Sequence, residues 1–273
     1  MNAIMNTFRL AAVAALVLAM ATFAGVEARG VTIIGHWAFE EGTGSIAYDS
    51  SPNHLDGTIV NAAYTNVTDP TLPALGTYAL AFNGLDTYVE VGNNPLLAPA
   101  TIGISLWFKC GPQAAYHDLL DKGHGFGSTP YFGGYAVQGY PGNLEAIYGN
   151  GADFYVLGTG PGVYDDMWHL LVANLGQDAI EVYVDTIPVA GGGPGAGPIV
   201  QNDSDLFFGR HSAVGRYYNG LIADVRLYDG ALSQQDVIAL FNPPEPIPEP
   251  ATMVAGLLGL GSVAAYLKGR SKV

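Results

Sequence analysis

Apolar and polar residues alternate along much of the chain with the two-residue period of half-buried strands. Ile180, Val182 and Val184 alternate with Glu181, Tyr183 and Asp185. Ile104, Leu106, Phe108 and Cys110 share one parity, with Ser105, Trp107 and Lys109 on the other. Further strand-like runs cover residues 31–39, 78–82, 88–91, 134–138, 144–148, 168–175, 205–209 and 221–228, separated by Gly- and Pro-rich turns. A helix is predicted only over 233–241, where Ser233 can cap and Val237, Leu240 and Phe241 form an apolar face. Roughly ten or more strands at this spacing predict an all-β fold, an antiparallel β-sandwich or jelly roll in one domain.

The two ends obey different physics. Residues 10–24 are apolar and uncharged, with Arg9 before them and Val26-Glu27-Ala28 after. A basic start, a short apolar stretch and a small residue at the cleavage point make residues 1–28 a secretory signal, cut after Ala28 or after Ala24. A permanent anchor is the alternative. At the other end, residues 251–267 are apolar and span roughly 25 Å as a helix, the lower limit for crossing a bilayer. Lys268, Arg270 and Lys272 follow and would hold that end of a transmembrane helix in the cytoplasm. The Pro-rich stretch 243–250 before it is stiff and extended, a linker. The folded domain is therefore expected at 29–242, with 251–273 as membrane segment and basic tail.

This end resembles the PEP-CTERM sorting signal of Gram-negative bacteria. Pro248-Glu249-Pro250-Ala251-Thr252 is followed by Gly256-Leu257-Leu258-Gly259-Leu260-Gly261 and then by the basic tail. The resemblance implies processing by an exosortase-type transpeptidase in a host that makes extracellular polysaccharide. It also implies export to the cell surface, outer envelope or matrix, with transient or permanent membrane anchoring. A plain single-pass anchor is the alternative.

Charge sharpens the picture once the ends are set aside. The chain carries 10 Lys plus Arg against 24 Asp plus Glu. Four of the basic and two of the acidic residues lie in the ends, so 29–246 is near −16. Clustered Lys and Arg able to follow nucleic-acid phosphate are missing. The lone Cys110 excludes an internal disulfide or a multi-thiolate zinc site, and 49% apolar residues exclude disorder. Surplus acid in an exported domain suits Ca2+ binding, and equally suits solubility.

Six ordered blocks over roughly 33–241 resemble LamG-like jelly-roll domains of the concanavalin A-like lectin/glucanase superfamily. They begin with Gly35-His36-Trp37-Ala38-Phe39-Glu40-Glu41-Gly42-Thr43-Gly44, then Asp49-Ser50-Ser51-Pro52-Asn53 and Asp56-Gly57-Thr58. Ala79-Leu80-Ala81-Phe82-Asn83-Gly84 with Tyr88-Val89-Glu90-Val91, and Ser105-Leu106-Trp107-Phe108-Lys109, continue the pattern. Trp168-His169 with Val182-Tyr183-Val184-Asp185, and 220–228 with Ala231-Leu232-Ser233, close it. Thr186, Asn83 and Ala223 depart from the family pattern, the last two by removing acids.

The resemblance implies a concanavalin A-like fold and a structural Ca2+ near where the first and last strands meet. The expected ligands are Asp49 and Asn53, completed by Asp224 or Asp56. The loop 49–57 offers the carboxylates, carbonyls and turn formers a hard cation needs, and it fits an Asx-stabilised turn as well. Laminarinase-type relatives place catalytic acids as Glu-x-Asp-x-x-Glu, a spacing not found here, and Glu40-Glu41 and Asp165-Asp166 read as turn acids. No catalytic residue is expected.

His117, His124, His169 and His211 are scattered without i, i+4 metal spacing, and His169 reads as part of a strand. The loop 191–198 is a flexible Gly-rich turn, not a phosphate cradle. Tyr131, Tyr135 and Tyr140 lie in a Gly-rich stretch, and Tyr217-Tyr218 follow Arg210, His211 and Arg216. Sugar binding uses aromatic faces and a few polar groups, so His211, Tyr217 and Tyr218 are the candidate ligand residues. The expected function is non-catalytic binding of extracellular polysaccharide or surface glycans. The alternatives are an adhesive protein that binds protein partners and a polysaccharide-active enzyme with an unrecognised acid/base pair.

Overall fold

The computed structural model describes residues 31–125 and 127–243. The signal segment, the Pro248-Glu249-Pro250 motif and the apolar C-terminal run lie outside the described residues. Among the described residues, no helix is long and apolar enough to cross a membrane.

Two antiparallel eight-stranded sheets face each other as a sandwich. The first runs β14 (Ile187–Gly191), β13 (Glu181–Val184), β12 (Trp168–Gly176), β7 (Thr101–Lys109), β16 (Asn219–Asp229), β5 (Tyr78–Asn83) and β4 (Ala63–Asn66). Strand β1 (Thr32–Trp37) joins it by pairing with β16. The second runs β11 (Phe154–Gly158), β10 (Asn143–Gly149), β9 (Tyr135–Tyr140), β8 (His117–Asp121), β15 (Leu206–Phe208), β6 (Tyr88–Val91), β3 (Gly57–Val60) and β2 (Ile46–Ala47).

The period-2 pattern places one parity of each strand between the sheets. Ile104, Leu106, Phe108 and Cys110 sit there with Trp37, Tyr135, Tyr148 and Phe208. Each fully buried aliphatic or aromatic side chain of this kind contributes about 1.5–3 kcal/mol. The other parity of β7 is buried as well, because the outer face of the first sheet carries a second apolar layer. Trp107, Leu170, Val172 and Tyr183 lie under Val237 of the helix α1 (Gln234–Phe241), and the Trp107 and Phe241 rings are 5.3 Å apart. Ser233 caps α1 reciprocally with Asp236, the capping box that the sequence signals.

The outer face of the second sheet has no such helix. Tyr135 and Val137 of β9 and Leu144, Ala146 and Tyr148 of β10 point into the core. Alternation turns Ala136, Gln138, Glu145 and Ile147 outward. A register shift between Asp118 and Leu120 sends Leu119 and Leu120 both inward and leaves Asp118 opposite Gln138 and Asp121 opposite Ala136. Two acids three residues apart thus share one outward face.

Candidate functional site

Two loops fold over that outward face, and Asp121 ties them together. Its Oδ1 accepts the amides of Gly123 at 2.5 Å and His124 at 3.1 Å, and its Oδ2 accepts the amide of Ser212 at 3.0 Å. The loop after β8 turns through Gly123 and Gly125, both with positive φ, where a side chain would be strained. Asn202 locks the same turn by donating to the carbonyls of Lys122 and Gly123, while accepting from Lys122 Nζ at 3.1 Å.

His124 and His211 come from opposite loops, and their rings lie 5.0 Å apart. Gln138 Nε2 donates to Glu145 Oε2 at 3.0 Å, which turns its oxygen toward His124 Nε2 at 3.1 Å and Arg216 Nη1 at 3.2 Å. A shared acceptor there requires His124 to carry its proton on Nε2. His211 Nδ1 accepts the amides of Ala213 at 3.0 Å and Val214 at 3.3 Å, so its proton is on Nε2.

Burial and mutual charge set the protonation states. Burial, helped by the neighbouring Asp121, pushes the Asp118 carboxyl well above the carboxylate range, and neither of its oxygens has a hydrogen-bond partner. Burial also pushes Asp121 upward, but the bond and charge of His124, then His211 and the Ser212 amide, outweigh it and hold it low. Burial favours neutral His124, and Asp121, Asp118 and Gln138 overcome that to raise it. His211 is driven down to about 4, chiefly by burial and further by His124, Arg216 and Arg210, against the opposing pull of Asp121.

Asp121, His124 and His211 lie close enough to suggest a metal ion, with ligand atoms within 4.8 Å of one another. Their hydrogen bonds argue otherwise. The His211 Nδ1 lone pair faces two amides, and the Asp121 oxygens face three. His124 Nδ1 faces Asp121 Oδ1 at 3.4 Å as the N–H side of an ion pair, so neither imidazole turns a lone pair to a common point, and a transition metal needs at least three donors that do. The cluster is a buried ion pair that shapes two loops.

Beside it opens a cleft of about 200 Å3. His124, Gln138 and Arg216 supply its polar tips, and Tyr131, Phe154, Ile147 and Val156 its walls. The Tyr131 and Phe154 rings are 5.7 Å apart, and the Arg216 guanidinium lies over the Tyr116 ring at 5.0 Å. A larger depression of about 400 Å3, near Thr32, Leu96 and Pro99, has no aromatic face and only Asp229 as a charged group.

The sequence-expected residues are distributed differently. His211 lines the cleft from below. Tyr217 lines a neighbouring depression with Gln113 and Tyr116. Tyr218 is a correction: it is fully buried, with its hydroxyl donating to the Lys109 carbonyl at 3.1 Å, so its ring cannot stack on a sugar. The scattered histidines also need correcting, since loop closure brings His124 and His211 together. Nothing in their sequence spacing signals this.

The calcium set does not converge either. Asp49 Oδ1 accepts the His36 and Ser51 amides, both at 2.8 Å; its Oδ2 accepts Ser51 Oγ at 2.8 Å and the Leu55 amide at 2.7 Å. Asn53 Nδ2 donates to the Ile34 carbonyl, and Asp56 Oδ1 accepts the Asp49 amide. Asp224, in the left-handed region at a bulge of β16, turns to Arg226 Nη2 at 2.9 Å and His36 Nε2 at 2.7 Å. The Asp49 and Asp224 carboxylates are taken up by protein donors, Arg226 among them, which leaves only Asn53 Oδ1 and Asp56 Oδ2 of the set, fewer oxygens than a hard cation needs, and the loop is an Asx-type turn. It does not fit Ca2+.

A family model described as the concanavalin A-like lectin/glucanases superfamily matches residues 82–238, the stretch that carries the cleft. The adhesion G-protein coupled receptor V1 of Danio rerio is 27% identical over 181 residues, 62% of this chain and 3% of the receptor. The chain thus corresponds to a small part of that relative. Domain 4 of AbnA, a GH43 extracellular arabinanase from Geobacillus stearothermophilus solved with arabinotriose, superposes with a TM-score of 0.61 at 20% identity, covering 78% of this chain and 99% of that one. The binding domain of Paraclostridial Mosquitocidal Protein 1 gives 0.62 at 13% identity, covering 77% of this chain and 52% of the other. At these identities the solved structures establish the fold alone.

Proposed function

This chain belongs to the concanavalin A-like lectin/glucanases superfamily, and within it we propose a non-catalytic module that binds a carbohydrate chain in the cleft above His124, Gln138 and Arg216. One observation carries the proposal: the cleft joins aromatic faces to three convergent polar tips, the composition that sugar rings require. Among the described residues no carboxylate lines it, whereas glycoside hydrolysis needs two carboxyl groups flanking the bond. Asp118 and Asp121 are buried beneath the loops. The fold shared with an arabinanase domain solved with arabinotriose supports the reading, although fold does not determine ligand.

The finer placement belongs to the same proposal. Residues 1–28 direct export, and the Pro-Glu-Pro end holds or hands the protein to the cell surface or its matrix through an exosortase-type enzyme.

Titration calorimetry of the full chain with arabino-oligosaccharides and with extracellular polysaccharide tests the binding role. Tyr131→Ala is expected to weaken binding about tenfold. Absence of heat with every glycan, or an unaltered affinity in Tyr131→Ala, overturns it. Attachment to a matrix that survives glycan digestion favours the second reading, a protein-binding adhesin, for which the receptor relative speaks.

A further inference from the structure

We infer that the cleft selects an anionic sugar, a uronate whose carboxylate docks on the Arg216 guanidinium; the inference rests on the glycan-binding reading above. Five basic side chains fall among the described residues: Lys109, Lys122, Arg210, Arg216 and Arg226. Lys109 and Arg226 face Asp166 and Asp224 at 3.9 and 2.9 Å. The Lys122 amine is buried and donates to Asn202 Oδ1 and the Ser204 carbonyl. Among the described residues, the two arginines with no described carboxylate within 4.0 Å are Arg210 and Arg216, in a strongly acidic domain. Both belong to the loop that closes the cleft.

The two arginines are held differently. Arg210 donates to the carbonyls of His211 and Ser212 and stacks on Tyr88 and Phe207 at 4.6 and 4.5 Å, so it builds the loop. Arg216 gives one nitrogen to Gln138 Oε1 and rests on Tyr116, which orients its fork while leaving the other N–H groups for a ligand. A planar guanidinium fixed this way matches a carboxylate bidentately. Three acids lie nearby, and each is held away from it. Glu145 is bound by Gln138 Nε2, Asp121 is paired with His124, and Asp118 lies buried beneath the loops with no hydrogen bond to the guanidinium, whose charge it feels only at a distance. The apolar walls of Ile147, Val156 and Phe154 lower the local dielectric on one side of the guanidinium, which strengthens a charge pair there.

The test compares a uronate oligosaccharide with the same oligosaccharide after its carboxyl groups have been reduced to alcohols. Wild-type protein is expected to bind the uronate at least about tenfold more tightly, and to lose part of that margin as salt is raised. Arg216→Gln is expected to bind both alike, and Arg216→Lys to keep the charge but lose most of the preference. Thermal melts confirm that each variant is folded. Equal affinity of wild type for both sugars, or a preference that persists in Arg216→Gln, overturns the uronate assignment while leaving glycan binding intact. Failure to bind either sugar or any neutral glycan overturns both.

Discussion

The Ser212 amide donates to Asp121 Oδ2 at 3.0 Å across 91 positions of sequence. This one bond closes the β15–β16 loop onto the end of β8, where the same carboxylate holds the Gly123 and His124 amides. Asp121→Asn keeps the shape but replaces one acceptor by a donor and leaves the buried His124 charge unpaired. It is expected to lower unfolding free energy by about 3 kcal/mol, read as a reduced urea midpoint, and to abolish glycan binding.

Asp118 gives stability a measurable pH dependence. Its folded carboxyl is raised, so the unfolded chain ionises first, near 3.8. Its contribution is fully present below that value and is lost as pH rises toward the folded pKa, at up to about 1.4 kcal/mol per pH unit. Raised His124 acts in the same direction above 6.5. Depressed His211 acts in the opposite one: its contribution is present above 6.5 and is lost as pH falls toward about 4. Asp118→Asn is therefore expected to be more stable than wild type at pH 8 and no more stable at pH 4.5, measured by urea unfolding at each pH.

The loop around Asp49 is expected to be indifferent to calcium. Chelator or added Ca2+ should leave the melting midpoint unchanged, because four protein donors already satisfy the Asp49 carboxylate. Asp49→Ala is expected to destabilise by about 3 kcal/mol, since it strands buried donors. A chelator-induced fall in midpoint is the opposite outcome.

The helix over the first sheet offers a smaller test. Ser233→Ala removes the reciprocal cap and should lower stability by about 1 kcal/mol, roughly 2–4 °C in melting temperature. Glycan affinity should not change, because α1 covers the sheet opposite the cleft.

Much of the sandwich is legible in the chain because burial writes itself as parity. The runs at 88–91, 104–110 and 168–175 alternate or are apolar throughout, and they become β6, β7 and β12 with small changes at their ends. The cap and apolar face over 233–241 likewise become Ser233 and α1. Strand β8 escapes this logic: His117-Asp118-Leu119-Leu120-Asp121 carries a register shift that breaks the alternation. Strands β3, β4 and β14 are short, and β4 and β14 lie at edges or are largely exposed, so little apolar patterning marks them.

By itself, then, the sequence determined the architecture and the surplus of negative charge, because both are sums over local choices of residue. The site depended on tertiary structure. His124, Gln138, His211 and Arg216 converge through long-range hydrogen bonds at loops, where no periodicity constrains the side chains. The same long-range geometry decided the fate of Asp49 and Tyr218. Each has the right chemistry for a ligand, and each is buried with its polar atoms bonded to protein groups.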